Sequence, residues 1–220
     1  MHEKRLAGKT VLVTAGPTRE RLDPVRFLSN FSSGKMGYAI AGEALALGAR
    51  VLLVTGPVAL RPPEGCEVTH IESTLDLLDA MLKLAPACDV IIQSAAPADY
   101  RPETMSDTKI KKQAGEPVTL KLIENPDVAA AIGHQKREGQ VLVVFAAETD
   151  SLEKNATSKL IRKNADFIVA NDVTKAGAGF NVDTNIASII DKNGVQALPL
   201  MQKTELARII LHKAADMLDR

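Results

Sequence analysis

Apolar residues recur along this chain with two different periods. Lys9–Ala15 is a short, continuous apolar run, as expected of a strand buried on both faces. Arg50–Thr55 repeats the pattern, and Glu67–Ile71, Asp89–Ser94, Val141–Ala146 and Phe167–Ala170 supply further strands. Between them the period lengthens to that of a helix. Gly34–Leu47 carries Met36, Ile40, Ala44 and Leu47 on one stripe, and Gly48 stops it. Thr74–Leu84 is helical, capped by Ser73 or Thr74. Pro126–Gly133 forms a short helix, and Leu152–Asn164 and Lys203–Leu218 form longer ones. After a glycine-rich loop, Ala176–Phe180, the segments Asn185–Ile190 and Val195–Leu200 read as a hairpin turning at Lys192-Asn193-Gly194.

Two stretches break the pattern. Gly16 to about Ser33 is a long polar loop, and Arg101–Val118 has little apolar content and several turn formers. The second is read as a flap, since a long irregular stretch in a compact domain usually has a function. Strands alternating with helices imply right-handed βαβ crossovers and a parallel sheet. The expected fold is therefore α/β: a Rossmann-like, mostly parallel sheet with helices on both faces, plus a flap and a C-terminal β-hairpin. Ligands in such sheets sit beyond the carboxyl ends of the strands. The loops beginning at Ala15, Thr55, Ser94, Ala146 and Asn171 are the expected active face.

Composition narrows the function classes. The 220 residues suit one domain, 1–220, with the flap at about 101–118. The 27 basic and 27 acidic side chains balance, so no global field favours nucleic acid or an anionic membrane. Two Tyr, five Phe and no Trp argue against a base-stacking platform. No apolar run approaches a membrane span, and Met-His-Glu-Lys-Arg leads into no signal segment. Cys66 and Cys88 have no metal spacing and read as packing residues, which fits a reduced cytoplasmic setting.

Against this neutral background Lys109, Lys111 and Lys112 cluster within four residues, downstream of Ala95–Tyr100 at an expected strand end. Taken alone they are either a solvated basic turn or a grip on a polyanion. A dinucleotide site fails on several counts. Ala15-Gly16-Pro17-Thr18 lacks the GxGxxG spacing, the second strand ends in Thr55-Gly56 without an acidic residue, and Tyr100 is followed four residues on by Thr104 rather than Lys. A P-loop fails because Met36 follows Gly34-Lys35 and Ser29 stands at the first glycine position. What survives is a helix start, Ser32-Ser33-Gly34-Lys35 with Gly37, which suits either an anion or an ordinary N-cap. Asp99 could hold a metal or a ribose. Ile123-Glu124-Asn125-Pro126-Asp127 is a helix cap or a base-reading loop. Phe145 packs on a base or in the core. Lys159 and Lys163 share one helix face, toward phosphate or solvent.

The motifs Gly16-Pro17-Thr18-Arg19-Glu20, Leu22-Asp23-Pro24-Val25-Arg26, Asn30–Gly37, Ala95–Pro102, Lys109–Lys112, Asn125-Pro126-Asp127, Phe145–Thr149 and Asn171-Asp172 resemble bacterial phosphopantothenoylcysteine synthetase. They span nearly the whole chain in order. Pro97 departs from the pattern, where a small apolar residue, commonly Val, is expected; it removes no functional group. The resemblance implies ligation of 4′-phosphopantothenate to L-cysteine with CTP and Mg²⁺, through an acyl-cytidylate, in coenzyme A biosynthesis. It implies a homodimer in which Arg26–Ser33 is shared. It also implies a flavin-dependent decarboxylase as fusion or partner, no flavin in this domain, and here a separated or monofunctional synthetase.

The implied roles follow the motifs. Asn30, Lys109 and Arg26 are catalytic, with Lys109 on a flap that closes over the triphosphate. Gln93, Ser94, Ala95, Asp99, Lys109, Ile123, Glu124, Asn125, Pro126, Phe145, Lys159 and Lys163 bind CTP. Asn30, Ser32, Ser33, Gly34 and Lys35 hold phosphopantothenate, and Asp99 meets the metal. His2, His70, His134 and His212 lie outside every motif. The competing readings are a short-chain-type NAD(P) oxidoreductase and a non-catalytic nucleotide-binding regulatory domain.

Overall fold

In β1 (Thr10–Ala15), alternate side chains enter two different cores: Val11 and Val13 face one, Leu12 the other. That is what a parallel strand covered on both faces requires. The computed structural model describes residues 4–112, 115, 117–148, 158–172, 179 and 181–219. The remaining strands are β2 (Glu20–Arg21), β3 (Phe27–Leu28), β4 (Arg50–Thr55), β5 (Glu67–His70), β6 (Val90–Gln93), β7 (Tyr100–Pro102) and β8 (Leu122–Glu124). Then come β9 (Val141–Glu148), β10 (Phe167–Asp172), β11 (Thr184–Asn185), β12 (Ala187–Asp191), β13 (Gly194–Ala197) and β14 (Met201–Gln202). The helices are α1 (Lys35–Ala46), α2 (Thr74–Leu84), α3 (Val128–His134), α4 (158–162) and α5 (Lys203–Leu218).

The main sheet runs β13-β12-β10-β9-β6-β1-β4-β5, parallel from β10 to β5 and antiparallel at β12 and β13. From β1 the chain builds outward to β4 and β5, then returns to build β6, β9 and β10 on the other side. The switch point therefore falls between β1 and β6. Helices α1 and α5 cover one face with Ile40, Ala44, Leu206 and Ile210. Helices α2 and α3 cover the other with Leu77, Met81, Val128 and Ile132.

The expected fold is borne out, with local differences. Strand β5 stops at His70 and lies at the sheet edge with most of its residues exposed. The hairpin is β12 and β13, with Asp191 opposite Gly194; Asn185 stands apart from it, in β11 paired with β14. The long loop after β1 contains the small β2–β3 hairpin. The flap is mounted on a two-stranded stem, Tyr100–Pro102 against Leu122–Glu124. The expected helix Leu152–Asn164 is seen at 158–162, and of the loop Ala176–Phe180 Gly179 is described; the other residues of the loop, and 152–157 of the helix, lie outside the described residues. Among the described residues no helix is long and apolar enough to cross a membrane. Cys88 is buried and donates to the Leu84 carbonyl, and burial pushes its thiol up to about 11; Cys66 packs half-buried against the core.

Candidate functional site

A cavity of about 630 Å³ opens beyond the carboxyl ends of β1, β6, β9 and β10. This is a normal size for a small-molecule site. One wall is the start of α1. Gly34 caps that helix in the left-handed conformation (φ 78°) with no side-chain cap, leaving backbone donors turned to the cavity. Gly37 lets the helix press on the sheet: a Cβ there would lie 2.5 Å from Ala15 Cβ and 2.7 Å from Ser94 Oγ.

The loop after β6 is fastened to the loop after β1 across the switch point. Ser94 Oγ donates to the Thr14 carbonyl (2.6 Å), and the Ala95 N–H donates to Thr14 Oγ1 (3.0 Å). The Ala96 N–H donates to the Gly16 carbonyl and the Ala98 N–H to Thr18 Oγ1, both at 2.9 Å. Pro97 sits between these two donors, so its missing N–H forfeits neither of these bonds.

The opposite wall joins β8, α3 and α4. Asn125 is buried, donates to the Ala98 carbonyl (2.9 Å) and accepts from Arg101 (3.0 Å). Its side chain thus builds the corner. Asp127 caps α3 by accepting from the Ala130 N–H (3.1 Å) and pairs with Lys163 (2.8 Å). Burial raises the Asp127 carboxyl, but the Lys163 ammonium and the Ala130 N–H outweigh it and hold the carboxyl below its usual range.

Most of the residues singled out in the sequence meet in this cavity. Ser32, Ser33, Gly34 and Lys35 line it, as do Gln93, Ser94, Ala95 and Asp99, then Glu124, Asn125 and Pro126, and finally Phe145, Lys159 and Lys163. Four do not. Ile123 lies in the flap stem. Asn30 rests behind the wall, donating to the Ala96 carbonyl and accepting from the Ser32 N–H (3.0 Å). Arg26 pairs with Asp23 (2.5 Å) and donates to the Ile110 carbonyl (2.8 Å). Lys109 is exposed and outside the cavity wall, as are Lys111 and Lys112.

Sequence reasoning gave no role to Asp23, Lys203, Asn185 or Arg162, the last of which lines the cavity beside Lys163. Asp23 is a buried hub that accepts from Val25, Arg26 and the Ile110 N–H (3.1 Å). The Arg26 guanidinium holds its carboxyl well below the usual range against the upward push of burial, helped by those backbone donors. Lys203 is buried in the cavity wall and donates to the carbonyls of Gly179 (3.3 Å), Val182 and Thr184 (3.0 Å). Burial, and then the charge of Lys35, push its ammonium pKa down, with Asp183 opposing. Asn185 is buried in the same wall. Lys203 had a readable signal: it occupies the apolar stripe of α5, three, four and seven residues before Leu206, Ala207 and Ile210.

Lys35, Lys159, Arg162, Lys163 and Lys203 line the cavity against Asp99, Glu124 and Asp127, five cations to three carboxylates among the described residues. Fold and site together define a doubly wound α/β domain whose switch-point cleft is suited to an anionic small molecule. The chain belongs to the DNA/pantothenate metabolism flavoprotein C-terminal domain family, whose pattern matches residues 6–218. It is 49% identical over 212 residues to the coenzyme A biosynthesis bifunctional protein CoaBC of Bacillus subtilis, covering 96% of this chain and 52% of the relative. The Escherichia coli K12 protein of the same name is 43% identical over 211 residues, covering 95% and 52%. This chain thus spans about half the length of these relatives. The crystal structure of the C-terminal domain of a CoaBC protein superposes with a TM-score of 0.84 at 44% identity, covering 99% of both chains. The resemblance read from the motifs is borne out.

Proposed function

We propose that this domain is a phosphopantothenate–cysteine ligase of coenzyme A biosynthesis, using CTP and passing through an acyl-cytidylate. The observation that carries the reading is the single cavity in which a donor-rich helix start, the strand-end loop Gln93–Asp99 and the cationic corner of Lys159 and Lys163 converge. The phosphopantothenate carboxylate attacks the α-phosphorus of CTP, and pyrophosphate leaves with the electrons of the broken P–O bond. The cysteine amine then attacks the acyl carbon, CMP leaves, and the ammonium proton is released.

A carboxylate is already ionised, so the first step needs positioning and charge neutralisation rather than a strong base. The backbone donors at the start of α1 would hold the phosphopantothenate phosphate. Ser94, Ala95 and the Glu124–Pro126 corner would seat the nucleotide, with Phe145 beside the base. Asn30, hydrogen-bonded to the Ala96 carbonyl on the cavity wall, would position the acyl-cytidylate through that wall. Among the described residues no three His, Cys, Asp or Glu side chains converge as a metal cage. A single carboxylate such as Asp99 on the wall would suit Mg²⁺, which takes most of its ligands from phosphate oxygens and water. Bound there, the ion would neutralise phosphate charge.

Lys109 would join when the flap closes over the cavity. Lys109→Gln should lower turnover at least about 100-fold, the loss of one preorganised charge contact, without changing the melting temperature. Near-normal activity would remove Lys109 from the mechanism. A homodimer sharing Arg26–Ser33 and a decarboxylase domain as fusion or partner belong to the same proposal. The deciding assay is the purified chain with 4′-phosphopantothenate, CTP and Mg²⁺, with and without L-cysteine, and with ATP in parallel. Cysteine-dependent CMP and conjugate support the reading. CTP binding without pyrophosphate release would make the domain regulatory.

A further inference from the structure

Asn185 ends β11, is 2% exposed and lies in the cavity wall, and its Oδ1 has no hydrogen-bond partner among the described residues. A buried amide oxygen left unpaired is costly, and native structures seldom tolerate one without a reason. The surroundings show that this one is not slack. Two residues earlier, Asp183 accepts from the Lys35 ammonium (2.7 Å), and Lys35 also donates to the Asn181 carbonyl (2.9 Å). From the other side Lys203 gathers the carbonyls of Gly179, Val182 and Thr184. The strand pairing of Asn185 with Met201 completes the fixation. The strap that carries Asn185 is therefore pinned between the first residue of α1 and the first residue of α5. A carboxamide held this firmly beside the helix start, with its oxygen unused, is preorganised for a ligand rather than for the fold.

We propose that Asn185 is a ligand-recognition residue. Its carboxamide hydrogen-bonds a hydroxyl or amide group that adjoins the phosphate of a ligand seated at the start of α1. This rests on the reading that the cleft takes 4′-phosphopantothenate and CTP. The two share the required chemistry: a phosphate ester close to neutral hydrogen-bonding groups, the pantoyl hydroxyl and amide in one and the ribose hydroxyls in the other. The terminal torsion of Asn is broad, so either edge of the amide can turn to the ligand. Lys203 acts as a positioning residue for the strap.

The test uses Asn185→Leu and Asn185→Ala in the full chain, titrated calorimetrically with 4′-phosphopantothenate alone and with CTP and Mg²⁺ alone, beside ligand-free melting curves. Leu has nearly the shape of Asn without the unpaired oxygen, so the ligand-free melting temperature should hold or rise. Affinity for one of the two ligands should fall about 10- to 100-fold, as for loss of a buried hydrogen bond, while the other stays within twofold. The ligand that suffers identifies which phosphate occupies the helix start. Unchanged affinity for both ligands in a folded Asn185→Leu chain overturns the inference while leaving the ligase reading intact. Equal losses for both ligands that track a lower melting temperature assign Asn185 to the fold and also overturn it. A wild-type chain that binds neither ligand overturns the inference and the ligase reading together.

Discussion

Two long polar segments interrupt the sheet, residues 16–33 after β1 and 103–121 between β7 and β8, and they are held in opposite ways. The first is irregular yet stitched through buried side chains. Thr18 is 0% exposed and meets Thr74 Oγ1 at 3.0 Å. Glu20 is 3% exposed and accepts from the N–H and hydroxyl of Thr74 at 2.9 and 2.8 Å, at the start of α2. Both segments expose apolar side chains, Val25, Phe27 and Phe31 in the first and Met105, Val118 and Leu120 in the second, so the difference lies in their polar anchoring. Beyond the stem of the second segment, the anchors among its described residues are Ser106, whose N–H donates to the Leu22 carbonyl (3.0 Å), and Ile110, whose N–H and carbonyl are gripped by Asp23 and Arg26. A polar loop becomes a rigid wall when short polar side chains reach buried partners on other elements. Without them it remains an arm hung on a few points, which is the condition for a segment that must close over a ligand.

The strongest way to break this contrast is at the wall. A Cβ on Gly56 would lie 1.8 Å from the Pro17 carbonyl oxygen. Gly56→Ala should cost about 3 kcal/mol by overpacking, read as a lower urea midpoint. A cost below about 0.5 kcal/mol, the level of an inert surface change, would show that the loop yields and is no wall. Next comes Glu20→Ala, which strands the buried Thr74 N–H, leaves the Thr74 hydroxyl only Thr18 Oγ1 and the Ala98 carbonyl (3.4 Å) to turn to among the described residues, and should cost about 2 kcal/mol. Glu20→Gln keeps the acceptor and should recover most of it. Equal losses in both variants would assign the effect to charge at the α2 start rather than to the hydrogen bonds.

Asp23 joins the two segments, so its titration sharpens the comparison. Its carboxyl is held below the usual range in the folded chain. A depressed value means stabilisation that is complete above the unfolded value, about 4, and lost as pH falls through the folded one. Asp23→Asn should therefore lower stability at pH 7 and flatten the fall in stability below about pH 4. Urea midpoints from pH 7 to pH 2 check this. Parallel acid limbs for the two proteins would show that Asp23 does not supply the acid sensitivity.

These tests bear on what the sequence could reveal. The strands and helices were legible because burial imposes a period of two or of 3.6, and Val11, Leu12 and Val13 carry that signal within one run. The cavity followed, because loops at strand carboxyl ends converge in any doubly wound sheet. The stem Tyr100–Pro102 with Leu122–Glu124 was hidden: its strands have three residues each, and one contains Pro. The partners of Thr18, Glu20 and Asp23 were hidden too, since Thr74, Ala98 and Ile110 lie 54 to 87 positions away with no periodic relation to them. The same distance hid why Arg26 serves the flap.

The smallest effect belongs to the arm itself. Glu103 and Lys121 form an ion pair at 2.7 Å just beyond the stem, with side chains 42% and 75% exposed. Exposed pairs contribute roughly 0.2–1 kcal/mol and are screened by salt. Lys121→Ala should leave the global urea midpoint almost unchanged. It should still quicken amide exchange at Glu103, whose N–H donates to the Lys121 carbonyl at 3.0 Å, because local opening of the arm does not require the sheet to unfold. If Glu103 instead exchanges only as fast as the core amides of β6, arm and wall open as one unit, and the mechanical contrast between the two segments fails.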